Sequence, residues 1–246
     1  MRWFGKKQKA REGGTKFWPP ESEPGRPRTF YEFDVTFHRR YDAAVAATAS
    51  VGDPPLRRMR FFALEQAARQ VRHVPGNACE VGCFRGLSAY LAAATFRDTG
   101  KKLKFHICDS FEGLSEPTAK DAAQGGEPAV RIKAHDHRCS EADVRAHLAE
   151  FDFIEFHKGW IPAPFKAIEN ERFCYAHVDV DLAEPTRDSL DFLWPRLNPG
   201  GVMVLDDYGG MGYPGAKRAI DGFFEGRRDV FFIAQPAGGG IAVKLG

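Results

Sequence analysis

The sequence predicts an α/β protein built on a doubly wound, mostly parallel sheet with an antiparallel last strand. From Met59 onward, segments with helical spacing of apolar residues alternate with short apolar runs typical of buried strands. Several of these runs end in glycine or aspartate, at the edge where such sheets bind their ligands. The 246 residues suffice for one large hydrophobic core. We therefore expect one domain over residues 31–246, preceded by a tail over residues 1–30.

The predicted tail differs from the rest of the chain in charge. It carries eight basic and three acidic side chains, a local net charge of +5, whereas the whole chain has a net charge of +2. Basic segments that contain Pro and Gly and few apolar residues cannot form a core of their own. We therefore predict a flexible tail, which would attach weakly to anionic surfaces.

Membrane and disulfide chemistry are not expected. No run of about 18 apolar residues occurs, and the charged N-terminus lacks the apolar stretch of a signal peptide. The five cysteines lack C-x-x-C spacing, and Cys79, Cys108 and Cys174 lie within apolar runs. We expect a cytoplasmic protein without a membrane span, whose cysteines are reduced.

In the first half of the domain, the sequence pattern predicts two helices, each followed by a strand. Residues 61–71 place apolar side chains at helical spacing and lead into a Pro-Gly turn at 75–76. A buried strand is predicted at 78–82, a helix rich in Ala and Leu at 86–96 and a second strand at 103–109. The sheet is thus expected to begin at residue 78.

The composition of segment 113–139 predicts a lid. It is rich in Gly, Pro and charged residues and has no sustained periodicity. A connection of that length inside a compact domain is usually functional or mobile. We expect it to be mobile without ligands and ordered over an occupied site.

The alternation continues to the end of the chain. Ser140, with Asp143 three residues later, predicts the start of a helix. Strands are predicted at 153–156, 173–180 and 201–205, helices at 186–194 and 216–224, and two final strands at 230–233 and 241–243. The short glycine link between the last two strands predicts antiparallel pairing.

A glycine turn joins the first predicted strand to its helix. Gly82 and Gly86 occur where a ligand can approach backbone N–H groups. A dinucleotide fingerprint starting at Gly82 would also need glycines at positions occupied by Phe84 and Leu87, which argues against a nicotinamide-dependent oxidoreductase. The E-x-G-x-x-x-G pattern is typical of class I S-adenosylmethionine-dependent methyltransferases. Asp109, which ends the second strand, can accept both hydroxyls of a ribose, so an adenosine-containing ligand is expected.

Four acidic residues end two later strands. Asp179 and Asp181 end the fourth strand, and Asp206 and Asp207 end the fifth. Because the carboxyl ends of the strands form one crevice, these side chains should converge. Carboxylates that lie so near one another repel unless a cation neutralises their charge. Oxygen ligands favour Mg²⁺ over Ca²⁺ or Mn²⁺, and no thiolate or imidazole pair selects zinc there.

Four ordered motifs stand out along the chain: D-S-F-E-G-L at 109–114, K-G-W at 158–160, H-V-D-V-D-L at 177–182, and P-G-G through D-D-Y at 199–208. Together they resemble the macrocin O-methyltransferase family, whose metal-dependent members methylate hydroxyls of sugars in antibiotics and other glycoconjugates. The resemblance covers about residues 58–235 of the chain. More distantly, residues 80–88 are similar to the corresponding turn of catechol O-methyltransferase.

The resemblance implies a Rossmann-like class I methyltransferase fold with a defined set of site residues. It implies that Asp179, Asp206 and Asp207 hold Mg²⁺, and that Asp181 is the general base. The implied contacts of S-adenosylmethionine are Glu80, Gly82, Gly86, Ser88, Asp109, Ser110, Asp179 and, beside the adenine, Trp160. The chain departs from the family at Ala183 and Phe84, where tyrosine is common.

The predicted function is an S-adenosylmethionine- and Mg²⁺-dependent O-methyltransferase that acts on a hydroxyl of a sugar or another small-molecule diol. The alternative is a non-catalytic module that binds an adenosine ligand and docks through its basic tail, although a degenerate site has no need of four carboxylates. The D-P-P-L run at 53–56 lies upstream of the cofactor turn and ends in Leu, which argues against methylation of nucleic-acid bases and against a specific nucleic-acid partner. The sequence leaves a homo-oligomer open.

Overall fold

The computed structural model describes residues 30–52, 54–125, 130–209 and 212–246. The predicted tail over residues 1–30 lies outside the described residues except for Phe30, so the tail stays a prediction. Phe30 begins a short helix. No helix in these described ranges is long and apolar enough to cross a membrane.

One sheet of seven strands forms the centre of the molecule. Its order is β3-β2-β1-β4-β5-β7-β6. Strands β1 to β5 pair in parallel, and β7 is antiparallel to both of its neighbours, β5 and β6. The strands are β1 (Asn77–Val81), β2 (Phe105–Asp109), β3 (Ile154–Lys158), β4 (Phe173–Val178), β5 (Leu197–Leu205), β6 (Val230–Ala234) and β7 (Gly240–Lys244). The predicted fold class, including the antiparallel last strand, is confirmed.

Helices cover both faces of the sheet, and each face has its own apolar cluster. Alternate residues of a strand point to opposite faces, so Ala78 joins one cluster and Cys79 the other. Helices α2, α3 and α4 pack on the first face, and α6 and α7 on the second. The helices are α1 (Phe30–Phe33), α2 (Val35–Ala47), α3 (Pro55–Gln70), α4 (Leu87–Asp98), α5 (Glu141–His147), α6 (Ala183–Leu193) and α7 (Pro214–Phe224).

Local chemistry accounts for where several helices begin. Asp34 caps α2 by accepting the backbone N–H of Phe37 at 2.8 Å. Ser140 caps α5 and accepts the N–H of Asp143 at 3.2 Å, at the predicted helix start. Helix α6 begins at Ala183, three residues before the predicted start. Element ends of this kind differ by a few residues because the last turns are held by few hydrogen bonds.

The sheet order creates a crevice between β1 and β4. The chain adds β2 and β3 on one side of β1 and then returns to add β4 on the other side. Val81, the last residue of β1, pairs with Cys108 of β2 and with Val178 of β4. The residues that follow these three strands therefore meet at one level, where doubly wound sheets bind ligands.

The predicted lid is fastened to the second helical face where it is described. Asp121 accepts the backbone N–H of Ala183, the first residue of α6, at 2.7 Å. Arg218 of α7 donates to the backbone oxygen of Lys120 at 2.8 Å. The described parts of the lid contain no helix or strand, as predicted. Their motion upon ligand binding stays a prediction.

Asp229 should make stability depend on pH in acid. Its carboxylate accepts hydrogen bonds from Lys244 at 2.7 Å and from the indole N–H of Trp194 at 3.0 Å. These contacts, Lys244 first, lower the pKa of Asp229 from 3.8 to about 2. A lowered pKa gives stability above pH 4 that is lost as the pH falls toward 2. Because the side chain is partly exposed, we expect about 1 kcal/mol after solvent screening.

The measurement is urea unfolding at several pH values between 5 and 2. This range spans the ordinary pKa of Asp229, 3.8, and its lowered pKa of about 2 in the folded protein. Asp229→Asn should lose that part of the pH dependence, whereas Asp191→Asn, which removes an acid from an exposed ion pair with Arg187, should keep it. An unchanged pH profile in Asp229→Asn would contradict the assignment.

Candidate active site

A cleft of about 670 Å³ opens at the carboxyl ends of β1, β2, β4 and β5. Eight of the predicted site residues line it: Gly82, Ser88, Asp109, Ser110, Trp160, Asp179, Asp181 and Asp206. The described residues that line the cleft do not include the other three predicted site residues, Glu80, Gly86 and Asp207. The cleft therefore brings together most of the predicted cofactor and metal residues, and the other three lie behind its surface.

Gly82 lets β1 and β4 approach each other at the bottom of the cleft. Its φ of 80° lies in the left-handed region, and a Cβ at this position would overlap the carbonyl oxygen of Asp179. The backbone N–H of Asp179 donates to the carbonyl oxygen of Val81 at 2.9 Å. Glycine is thus required here because the backbone that carries Asp179 passes directly beside it.

Gly86 shapes the other end of the turn. It precedes α4 with a φ of 89°, and its carbonyl oxygen accepts the N–H of Tyr90 at 2.8 Å. A Cβ on Gly86 would lie 3.3 Å from the side chain of Leu148. The first residues of α4, Leu87 and Ser88, line the cleft. The positive end of the helix dipole therefore faces the ligand space.

Glu80 supports the cleft from below. It is fully buried on β1 and accepts a hydrogen bond from the hydroxyl of Ser88 at 2.6 Å. The same oxygen, Oε1, lies 3.6 Å from Nδ1 of His177. Glu80 therefore orients Ser88, which itself lines the cleft, and the structure places it one layer away from the ligand space.

Asp109 connects the end of β2 to the glycine turn. Its Oδ2 accepts the backbone N–H of Cys83 at 2.7 Å, and its Oδ1 accepts that of Phe111 at 2.6 Å. Each carboxylate oxygen can accept more than one hydrogen bond, so both can still receive a hydroxyl. Ser110 donates to the carbonyl oxygen of Gly113 at 2.8 Å and closes the turn that follows.

Trp160 forms part of the rim. The residue is 46% exposed, and its Nε1 donates to the carbonyl oxygen of Gly113 at 3.4 Å. Phe84, also exposed, lines the cleft and packs edge-on against His137. Ala183, in contrast, is buried at the start of α6 and does not appear in the described wall of this cleft. Of the two departures from the family pattern, only Phe84 can affect the shape of the cleft directly.

The four acidic residues meet at the ends of β4 and β5. Their ligand atoms fall into two groups, each with all atoms within 4.8 Å of one another: Asp179 with Asp181 and Asp207, and Asp179 with Asp206 and His177. The predicted metal ligands Asp179, Asp206 and Asp207 are therefore divided between two groups that share Asp179. Asp181, the predicted base, joins the oxygen-only group.

Asp181 has an unusual backbone. Its φ is 61°, in the left-handed region that non-glycine residues rarely adopt. The backbone N–H of Asp181 donates to Oδ2 of Asp207 at 2.9 Å. The carboxylate of Asp181 accepts a hydrogen bond from the hydroxyl of Tyr213. Outliers of this kind concentrate at functional sites. The backbone turn holds the Asp181 side chain beside Asp179 and Asp207.

Burial and mutual repulsion dominate the electrostatics of the acidic residues. Burial, followed by the neighbouring carboxylates, raises the pKa of Asp179 and of Asp207 well above the usual range. Burial and Asp179 raise the pKa of Asp181 to about 7. Within the described chain, Oδ1 of Asp207 is buried without a hydrogen-bond partner. The oxygen donors and their unbalanced charge fit a hard divalent cation such as Mg²⁺.

Asp206 is held differently because two cations approach it. Arg60 of α3 places Nε 3.1 Å from Oδ1 of Asp206, and His177 places Nε2 3.9 Å from the same oxygen. Although burial acts in the opposite sense, Arg60 and His177 lower the pKa of Asp206. Burial disfavours protonation of His177, but Asp206 and Glu80 outweigh it and raise its pKa to about 10.

Sequence reasoning missed three residues of the site. Arg60 reaches Asp206, Tyr213 contacts Asp181, and Nε2 of His137 lies 3.9 Å from Oδ2 of Asp181. Arg60 carried no distinguishing signal, because it is one of three arginines near the start of α3. The spacing of Tyr213 after the aspartate pair, and the place of His137 within the predicted lid, were the available signals for the other two.

The architecture is the class I methyltransferase fold, as comparison with solved structures shows. The O-methyltransferase NovP superposes with a TM-score of 0.62 at 24% identity, covering 76% of this chain and 80% of NovP. The calicheamicin methyltransferase CalS11 superposes with a TM-score of 0.61 at 17% identity, covering 85% of this chain and 92% of CalS11.

The chain belongs to the macrocin O-methyltransferase (TylF) family, whose model matches residues 32–230. It is 34% identical over 146 residues to the 8-demethyl-8-(2,3-dimethoxy-alpha-L-rhamnosyl)-tetracenomycin-C 4'-O-methyltransferase of Streptomyces olivaceus, covering 55% of this chain and 54% of that protein. It is 28% identical over 155 residues to the demethyldecarbamoylnovobiocin O-methyltransferase of Streptomyces niveus, covering 61% of this chain and 58% of that protein. The chain thus spans a little over half the length of these relatives.

Proposed function

We propose that this protein is an S-adenosylmethionine- and Mg²⁺-dependent O-methyltransferase acting on a hydroxyl of a sugar or another small-molecule diol. The observation that carries the proposal is the single cleft that joins the glycine turn and Asp109 to the buried carboxylates of β4 and β5. A cofactor turn alone would suit a binding module, whereas a costly carboxylate cluster beside it suits catalysis. The S. olivaceus relative, whose name specifies a rhamnosyl-bearing compound, supports a sugar acceptor.

In this proposal the cofactor lies along the glycine turn, and its sulfonium supplies the methyl group. Gly82 and Gly86 adopt the left-handed backbone that forms the turn, and Asp109 accepts the ribose hydroxyls. Trp160 offers its exposed indole face to the adenine. Ser88 is oriented by its hydrogen bond to Glu80, at the positive end of α4. The chain's own task is to bind and align the cofactor and to exclude water.

Asp179 and Asp207, together with Asp206, would hold the divalent cation. When bound, Mg²⁺ lowers the pKa of a coordinated hydroxyl and orients it. Arg60 and His177 both contact Oδ1 of Asp206 and so hold this carboxylate in place. The alternative third ligand is Asp181, which shares the oxygen-only group with Asp179 and Asp207.

Asp181 is the proposed general base. It lines the cleft, and its backbone is locked by the hydrogen bond to Asp207. It would accept the proton of the acceptor hydroxyl as the methyl group is transferred. Tyr208 and Lys217 are less suited to this role: Lys217 pairs with Asp221 at 2.5 Å and lies over the Tyr208 ring, and neither residue is part of the described cleft wall.

Asp109→Ala should weaken binding of S-adenosylmethionine by about 1.5–3 kcal/mol, because a charge-assisted contact with the ribose is lost. Isothermal titration calorimetry with the cofactor and with its demethylated product measures this change. Asp98→Ala, which removes an exposed acid on the far end of α4, is the control and should bind as tightly as wild type. Equal affinities in all three proteins would show that Asp109 does not contact the cofactor.

The lid should become ordered when the cofactor binds. We expect slower hydrogen exchange over residues 113–139 in the presence of S-adenosylhomocysteine, because the segment would close over the occupied cleft. Exchange in edge strand β6, none of whose residues line the cleft, serves as the internal reference. Equal exchange of the lid with and without the ligand would contradict its role.

A mass-spectrometric screen of methyl transfer tests the proposed function. The protein is incubated with S-adenosylmethionine and a panel of sugars and phenolic diols, with Mg²⁺ or with EDTA. We expect a mass gain of one methyl group on a sugar acceptor, lost in EDTA. Cofactor binding without transfer to any acceptor would favour the non-catalytic module, and transfer that persists in EDTA would remove Mg²⁺ from the proposal.

A further inference from the structure

A second group of metal-ligating side chains lies away from the cleft, at the β3 edge of the sheet. His106 of β2 pairs in register with Glu155 of β3, and His157 is two residues farther along β3. Because side chains alternate along a strand, Glu155 and His157 point to the same face of the sheet. His106 is buried, whereas the side chain of Glu155 is 43% exposed. An ion could therefore enter from solvent.

The separations of the ligand atoms match a tetrahedral metal site. Nδ1 of His106 lies 3.0 Å from Nε2 of His157 and 3.5 Å from Oε2 of Glu155. Each of the three residues offers a ligand atom that lies within 4.8 Å of those of the other two. Zinc–nitrogen and zinc–oxygen bonds of about 2.0–2.1 Å in a tetrahedron require ligand atoms about 3.3 Å apart. The three side chains could thus bind one ion with only small movements.

The surroundings keep the ligands in a suitable state. Burial, followed by His157, lowers the pKa of His106, and burial lowers that of His157. Both imidazoles are then neutral near pH 7, the form that binds metal. Lys104 pairs with Oε1 of Glu155 at 2.9 Å, while the contact with His106 uses Oε2. The carboxylate can therefore keep its lysine and still offer one oxygen to an ion.

We propose that His106, Glu155 and His157 form a binding site for a zinc-like divalent ion that joins edge strand β3 to β2. Two imidazoles and one carboxylate favour Zn²⁺ over Mg²⁺, in contrast to the oxygen donors of the cleft. His106 precedes Asp109 by three residues, about 10 Å along the strand, so this site is separate from the cofactor residues. A bound Zn²⁺ ion would stabilise the folded protein, because the unfolded chain does not hold the three ligands together.

Calorimetric titration of Zn²⁺ into the full-length protein, freed of any histidine tag and held in excess Mg²⁺, tests the site. Excess Mg²⁺ competes with Zn²⁺ for the cleft carboxylates and leaves the site formed by His106, Glu155 and His157 available to Zn²⁺. We expect about one equivalent of Zn²⁺ to bind and to raise the melting temperature. His157→Gln should lower the affinity about 100-fold or more, since even loss of an outer-shell partner costs 10–100-fold. His73→Gln, which alters an exposed histidine elsewhere, should bind like wild type.

Two further variants keep the test decisive. Glu155→Gln should also lose Zn²⁺ affinity, and it changes a partly exposed side chain that the fold can spare. Lys104→Gln removes a competing positive charge and should tighten Zn²⁺ binding about fivefold. Absence of Zn²⁺ binding by the wild-type protein would overturn the proposal, as would equal affinity in wild type, His157→Gln and Glu155→Gln. None of these outcomes depends on methyltransferase activity.

Discussion

Asp181→Asn should bind Mg²⁺ and S-adenosylmethionine as wild type does, while kcat falls by about 10²–10⁴-fold. Asparagine keeps the size of the side chain, and the backbone N–H of residue 181 can still donate to Asp207. What is lost is the ability to accept a proton. The measurements are Mg²⁺ and cofactor titrations together with turnover on the acceptor found in the screen.

Asp188→Asn is the matched control for this variant. Asp188 also lines the cleft but belongs to neither group of ligand atoms, so turnover should stay close to that of wild type. If Asp181→Asn instead loses Mg²⁺ and keeps residual activity at saturating Mg²⁺, then Asp181 is a ligand. The base would then have to be sought at His137, which also lines the cleft and places Nε2 3.9 Å from Oδ2 of Asp181.

Asp207→Asn should abolish turnover and weaken Mg²⁺ binding by about 100-fold or more. In the proposed site, Asp207 is a ligand whether the third carboxylate is that of Asp206 or that of Asp181. Asparagine can still accept the N–H of Asp181, so the local backbone should be kept. Because burial and the neighbouring carboxylates oppose ionisation of Asp207, the variant should be at least as stable as wild type without metal.

Urea unfolding with and without Mg²⁺ separates these effects. Wild type should gain stability from Mg²⁺, whereas Asp207→Asn should gain little. Wild-type Mg²⁺ affinity in Asp207→Asn would remove this residue from the ligand set. A large loss of stability in the absence of metal would show that Asp207 is mainly structural.

The parts of the fold that sequence predicted best are those in which local pattern and burial agree. Strands β1 and β4 are short apolar runs that are buried along almost their whole length, and turn residues bound them. The glycine turn was identifiable because positive φ and close backbone approach restrict the choice of residue, and Asp109 because it ends the second strand. The convergence of acidic residues followed from the topology of a parallel sheet, which places strand ends together.

The parts that sequence missed depend on contacts between distant residues. Helix α2 lies before the predicted alternation, yet Phe37, Tyr41 and Ala44 are fully buried in the core. Its apolar stripe is interrupted by polar residues, including buried His38, which weakens the periodic signal. Similarly, no spacing rule indicates that Arg60 reaches Asp206. That contact depends on how α3 packs over the sheet.

The arrangement of the carboxylates was also beyond the sequence. Four acids at the ends of two strands predict a cluster, but which of them share a ligand group depends on side-chain direction. The left-handed backbone of Asp181 turns it toward Asp179 and Asp207, while Arg60 and His177 hold Asp206. The histidine pair on β2 and β3 became visible only from strand register, because its members are far apart in the chain.

The most direct test of the central claim, that one cleft holds the cofactor beside a divalent ion, is paramagnetic relaxation. Mn²⁺ replaces Mg²⁺, and relaxation of the ¹³C-labelled methyl group of bound S-adenosylmethionine is measured by NMR. We expect strong relaxation by protein-bound Mn²⁺ that is lost in Asp207→Asn. Relaxation no greater than that from Mn²⁺ in solution, or equal in wild type and Asp207→Asn, would contradict it.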